Sequence, residues 1–243
     1  MSNKVLLNNV DHGDLKIVPG YTPGFGERVN QMLVFPTEFE AAQREFPILF
    51  KRDADGQFQS VVLLGLDRDE NLFLSERGWT TRHVPAVQQR GPFSVVVQQH
   101  IGDELKREPM IHVDLDDPRI SREQGLPLFL KHGGNSPYLE QVNRTLRTIY
   151  EGLEVSSAMF AAFEEVKLIE PVRLEVKLSE EQEYDLPDFF SIVPGSLAAL
   201  NGKSLDWLNR SGFLQLAIYA AASLGNINHL INLKNNKRDG SDE

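Results

Sequence analysis

Apolar residues recur along this chain with two periods, and the change from one to the other separates a strand-rich first half from a more helical second half. Pro47-Ile48-Leu49-Phe50 and Phe58 to Leu66 are short apolar runs rich in β-branched and aromatic residues, the content that fills half-buried or buried strands. Between them Asp53-Ala54-Asp55-Gly56 is turn chemistry, with aspartates that bond their own backbone and a glycine. The pattern predicts a hairpin. Phe93 to Gln99 and Met110 to Leu115 predict a second strand pair, joined by the charged segment Gly102 to Glu108. Later, Val172, Leu174, Val176 and Leu178 alternate with Arg173, Glu175, Lys177 and Ser179, a strand with one wet face. Phe189 to Val193 predicts another strand, after the acidic link Glu180 to Asp185.

Helical signals lie around these runs. Thr37-Glu38-Phe39-Glu40 reads as a capping box, with Thr37 and Glu40 each accepting from the other's backbone N–H. The short helix it opens should stop near Glu45, because Pro47 disfavours helical geometry at Phe46. Ser136-Pro137 is a second helix opening. After it Leu139, Val142, Leu146, Ile149, Leu153, Phe160 and Phe163 recur at helical spacing, which predicts one helix, or two broken near Gly152. Ser196 and Ser204 are placed to cap two short helices, and Gly212 to end the second before a long Ala-rich helix from Phe213.

Strands come mainly first and helices later, with hairpin-length links, so the expected fold class is α+β. The sheet should be mainly antiparallel, built from N-terminal hairpins and packed by helices of the C-terminal half. Gly13, Pro19, Gly20, Pro23, Gly24 and Gly26 make residues 1–31 a turn-rich arm. Residues 32–233 are expected as a single domain, and 234–243 as a polar, disordered tail.

Composition narrows the function classes. A chain of 243 residues buries enough surface to need no disulfide or metal staple. The absence of cysteine removes thiolate catalysis and Cys-ligated zinc, and fits a reducing compartment, so a cytoplasmic location is expected. Net charge of −10 offers no positive field to a phosphate backbone, and no nucleic-acid partner is expected. Phe213 to Leu233 is the longest apolar stretch, but Gln215, Ser223, Asn226, Asn228, His229 and Asn232 interrupt it, so no membrane span is expected. The opening Met1 to Leu15 has only Val5-Leu6-Leu7 as an apolar patch, too short for a signal-peptide core.

Candidate chemistry concentrates between Arg77 and Phe93. Arg77, Arg82 and Arg90 accompany Trp79 and His83 in a connection between strands. Arginine forks recognise carboxylates and phosphates, and Trp supplies an apolar or cation–π wall. Trp79, Arg82, His83 and Arg90 are therefore the expected contact residues for a protein partner or a small anionic ligand. The competing reading puts Trp79 and Phe93 in the core and ties Arg90 to an acidic neighbour.

His112-Val113-Asp114 is the other candidate. Two ligand types on one face of a strand begin an iron facial triad, which His132 or His229 would complete. Against it, His112 is a strand-edge histidine and Asp114 starts the turn at Asp116-Asp117-Pro118. Asp67, Asp69 and Asn71 have the first spacings of a calcium loop, but Leu72 and Gly78 stand where Gly and Glu are needed. No nucleophile elbow, P-loop or H-E-x-x-H pattern occurs in the sequence. The expected protein is thus non-catalytic and without cofactor, with an iron-dependent oxygenase as the alternative. The Ala-rich face from Phe213 would serve internal packing or a homo-oligomer equally well.

Several segments in series carry a family resemblance. Val34-Phe35-Pro36-Thr37-Glu38-Phe39 leads to Phe46-Pro47-Ile48-Leu49-Phe50, then Leu64-Gly65-Leu66, Glu70-Asn71-Leu72-Phe73 and Trp79. Val84-Pro85-Ala86, Arg90 with Pro92-Phe93, Val113-Asp114, Leu128-Phe129 and the stretch Phe213 to Leu230 follow. In order and spacing over residues 32–233 the chain resembles the SapC family. The resemblance implies a supporting role in a surface-layer, uptake or halogenase-linked system, since the family is named for a surface-layer protein and is often encoded beside halogenase-like and cupin-like proteins. This sequence departs from the family pattern at His83 and Gly91, where aromatics are usual, and at His112.

Overall fold

A computed structural model describes residues 3–20, 28–99, 107–178 and 183–239. Parts of the links Gly102–Glu108 and Glu180–Asp185 lie outside the described residues. The chain divides into two compact units, Met1–Gly20 with Ala86–Tyr150, and Tyr21–Pro85 with Glu151–Glu243. Both are built from antiparallel strands and helices, an α+β fold.

In the first unit the strand Arg107–Asp114 lies between Lys4–Leu6 and Phe93–Gln99. A smaller sheet places Lys16–Ile17 between Ile120–Ser121 and Leu126–Pro127. The opening residues, expected as a surface arm, are thus strands, and Leu15 and Ile17 are only 2% and 1% exposed in a core with Phe93, Val113, Leu128 and Leu139. Gly13 does lie in a turn, whereas Pro23, Gly24 and Gly26 fall outside the described residues. The short apolar stretches between the turns are held by partners more than a hundred residues away, such as Asn3 N–H on Asp114 Oδ1 at 3.0 Å, which local pattern does not disclose.

The long helix Pro137–Glu165 opens as expected, with Leu139 N–H donating to Ser136 Oγ at 3.2 Å. It is continuous. Gly152 does not break it, because its role is close packing: a Cβ there would stand 2.4 Å from Phe35 Cβ and 2.7 Å from Thr37 Oγ1.

The second unit holds a five-stranded antiparallel sheet in the order Ile169–Lys177, Glu183–Ile192, Ile48–Arg52, Phe58–Leu63, Gln31–Leu33. The hairpin at Asp53–Gly56 forms as its residues dictate, Asp53 Oδ1 accepting from Asp55 and Gln57 N–H at 2.9 Å each. Phe50, fully buried, meets Phe160 edge-on at 5.1 Å. Such aromatic contacts add about 0.5–1.5 kcal/mol beyond area burial.

Three local expectations shift. The carboxylate half of the box sits two residues earlier, and the cap residue Phe35 has no side-chain acceptor to supply the other half: Glu38 Oε2, not Glu40, accepts from Phe35 N–H at 3.1 Å. Pro36 enters a 3-10 turn, Pro36–Glu38, ahead of the short helix Phe39–Ala42, and Glu40 faces Arg44 at 2.8 Å in solvent. Ser196 and Ser204 lie inside the helices Pro194–Ala198 and Gly202–Arg210, and Asn201 caps the latter through Ser204 N–H at 2.9 Å. The Ala-rich stretch is two helices, Phe213–Ser223 and Asn226–Asp239.

The residues around that break explain it. Ser223 Oγ accepts from Ile48 N–H at 2.8 Å, and Asn226 Nδ2 donates to Gln43 O at 2.8 Å and Phe46 O at 3.0 Å. Polar side chains that interrupt the apolar run are therefore tied to backbone groups within this unit. Among the described residues no helix is long and apolar enough to cross a membrane.

The last helix also runs through Lys234, expected in a disordered tail. Its Nζ donates to Glu70 Oε1 and Oε2 at 2.9 and 3.0 Å and also bonds Asp67. Lys237 Nζ reaches Glu70 Oε1 at 3.0 Å. Asp67, the first residue of the calcium-loop spacing, is thus paired with a lysine.

Burial alone would raise the Glu70 carboxyl, but the bonds from Lys234 and Lys237 outweigh it and hold it below its ordinary 4.5. The Lys234 bond holds Asp67 below 3.8. A carboxylate that binds its proton more weakly in the folded chain stabilises the fold above its ordinary value, and that contribution disappears as pH falls through the folded value. Urea melts from pH 7 to pH 3 should therefore show stability falling in acid. In Glu70→Gln the fall should be shallower. An identical acid slope in the variant would show that Glu70 does not contribute to it.

Candidate functional site

The segment Arg77–Phe93 crosses the division between the units, and its candidate residues fall into two groups. In the second unit the hairpin of Leu74–Ser75 and Gly78–Trp79 sets the Trp79 ring edge-on to Phe46 at 6.3 Å. Its Nε1 is buried with no hydrogen-bond partner among the described residues. The His83 ring lies 6.5 Å from Phe46. His83 Nε2 stands 3.2 Å from Glu38 Oε1, whose side chain is 2% exposed. That distance is an ion pair when the imidazole is protonated, although the atoms are off the line of a hydrogen bond. Arg82 is exposed, its backbone N–H donating to Glu45 Oε1 at 3.3 Å.

Arg90 belongs to the first unit. The helix Ala86–Gln89 closes on Arg90 N–H to Ala86 O at 2.9 Å, and Gly91 turns the chain with a φ of 56° into the strand Phe93–Gln99. Arg90 Nη1 donates to Phe93 O at 3.3 Å, a long bond. Near it stands Arg119, forked onto Asp117 with Nε to Oδ1 at 2.9 Å and Nη2 to Oδ2 at 2.8 Å. Both partners of that fork are largely buried, at 12% and 18% exposure.

Burial first, and repulsion from Arg119 second, lower the pKa of Arg90. The Asp117 carboxyl, which burial would raise, is held below 3.8 by its bonds from Arg119. No carboxylate among the described residues pairs with Arg90. Two guanidiniums thus stand beside the Asp117 carboxylate, in a protein whose net charge is −10.

Gly91 borders this group. A Cβ there would lie 3.6 Å from Arg119 Nη1 and 3.9 Å from the Tyr138 hydroxyl. A ring at this position would grow from a point already in contact with the Arg119 fork.

His112 and Asp114 share one face of the strand Arg107–Asp114. The buried His112 Nε2 has no hydrogen-bond partner among the described residues. Asp114 Oδ1 already accepts from Asn3 and Asp116 N–H at 3.0 and 3.2 Å, a turn role. His132 is exposed in a turn, and His229 lies in the other unit with its ring 5.9 Å from Phe73. Among the described residues no three His, Asp or Glu side chains converge as a metal would require.

A family model described as SapC matches residues 7–230. The chain belongs to the SapC family. Searches of curated proteins and of solved structures return no match. The SapC match includes Arg90, Gly91, Asp117, Arg119 and Tyr138. Arg119 and Tyr138 are absent from the sequence-level candidates. Asp117 and Arg119 flank Pro118 and read as turn residues, and Tyr138 reads as the first turn of a helix.

Proposed function

We propose that this SapC-family chain is an accessory or binding protein that recognises an anionic group, a carboxylate or a phosphate of a ligand or partner protein, at Arg90 and Arg119. The supporting observation is Arg90, a half-buried guanidinium that no carboxylate among the described residues pairs, beside the Arg119–Asp117 fork. A desolvated guanidinium with one long bond to a carbonyl gains a charge-assisted, two-pronged partner when an anion arrives. The surface-layer, uptake or halogenase-linked setting implied by the family is the context in which such a partner would be sought.

Thermal unfolding with added inorganic phosphate, and separately with acetate, tests this. Binding to the folded state raises the melting temperature by mass action. Arg90→Ala should cut affinity for the stabilising anion at least tenfold, the worth of about 1.5–3 kcal/mol for a hydrogen bond to a charged group. Its unliganded stability should change by no more than about 1 kcal/mol, because only one neutral acceptor is lost. Unfolding of the variant would make Arg90 structural and end the proposal, as would unchanged binding. Stoichiometric iron that His112→Ala removes would replace it with the oxygenase reading.

A further inference from the structure

Where Leu6 and Leu7 leave the strand Arg107–Asp114, a cleft opens between that strand and the start of the long helix. Its volume is about 300 Å³, room for about ten waters and the lower end of the range for small-molecule sites. Leu6, Leu7, Phe129 and Leu139 contribute apolar side chains and Asn135 and Asn143 polar ones; among the described residues no charged side chain lines it.

The two carboxamides differ. Asn135 Nδ2 donates to Glu140 Oε1 at 2.8 Å. Asn143 lies two turns inside the helix, where it caps nothing, and its amide has no hydrogen-bond partner among the described residues. Asn is a poor residue for a helix interior, since its side chain competes with the backbone for bonds. Its surface is polar and apolar in nearly equal share, and with one unengaged donor–acceptor group it is complementary to a molecule that joins an apolar face to a neutral polar group. A charged ligand would be desolvated there without a counter-charge.

We propose that this cleft binds a small neutral molecule, with its aromatic or aliphatic body against Leu6, Phe129 and Leu139 and an amide or hydroxyl paired with the Asn143 carboxamide. The site uses none of the Arg90 group and stands or falls separately from it.

Benzamide, benzoate and toluene are suitable probes for a titration of the full chain followed by amide NMR. Benzamide should bind saturably with a Kd in the millimolar range, as expected for a ligand of about nine non-hydrogen atoms, and shift the amides of Leu7, Leu139 and Asn143. Benzoate should bind at least tenfold more weakly. Asn143→Leu should weaken benzamide at least fivefold and leave toluene unchanged, and Leu6→Trp, which fills the cleft, should remove both. The proposal fails if benzamide does not saturate, if benzoate binds equally well, or if Leu6→Trp binds benzamide as the native chain does. Arg90→Ala should leave the benzamide titration unaltered; a parallel loss would assign the shifts to the anion site and overturn this one.

Discussion

Lys234→Met should destabilise the chain by about 3 kcal/mol, the low end of the cost of removing one partner of a buried ion pair. The substitution keeps the aliphatic stem and deletes the ammonium that bonds both Glu70 oxygens at 2.9 and 3.0 Å. Glu70, 6% exposed, would keep, among the described residues, Lys237 and the weak N–H contacts from Leu66 and Asp67 at 3.3 and 3.4 Å. That residual partner is why the low end applies. Urea melts at pH 7 would measure the loss, and Glu70→Leu with Lys234→Met should recover much of it, because neither charge then needs compensation. Truncation after Leu233 should cost at least as much. A truncated chain of native stability would return residues 234–239 to the status of a free tail.

Gly152→Ala is the second large effect. Alanine is the better helix former by about 1 kcal/mol, and on propensity alone the change should stabilise a helix interior. Packing decides otherwise. The new methyl would lie 2.4 Å from Phe35 Cβ and 2.7 Å from Thr37 Oγ1, and Phe35 Cβ is bonded directly to the backbone, so the helix or the Phe35 segment must move. Overpacking of this kind costs about 1–3 kcal/mol, and against the propensity gain the net change should be a loss of up to about 2 kcal/mol. Thermal melts of Gly152→Ala beside Gly195→Ala, where a Cβ would meet nothing within 4 Å, separate the two terms. Stabilisation at Gly152 would show that the approach of Phe35 is slack.

The parts of the fold that were legible in the sequence are those whose cause is local. Asp53 to Gly56 makes its own turn, and Ser136-Pro137 opens its own helix. The alternation from Val172 to Leu178 marks a strand whichever neighbour it pairs with. What local pattern withholds is the distant partner. Leu15 and Ile17 follow the same turn-rich opening whether they are buried or free, and Lys234 looks like any lysine in a polar stretch until Glu70, 164 positions away, is set beside it. Gly152 could equally be a helix break or a point of close contact, because propensity is the same in both cases. At the candidate site Arg90 stands out by its company of arginines and aromatics, whereas Arg119 does not, since Asp117-Pro118-Arg119 is sufficient as a turn.

The division of the chain also orders its birth. Every residue of the first unit has been synthesised once Tyr150 is made, and that unit can then close. The second unit is interrupted: the ribosome delivers Phe39, Phe46, Ile48 and Phe50 early, but the segments that cover them, among them Phe160, Phe163 and the strand Glu183–Ile192, come after the intervening Ala86–Tyr150. Translation therefore leaves a phenylalanine-rich hairpin waiting for its partners, the interval in which a nascent chain is most exposed to aggregation and to chaperone capture.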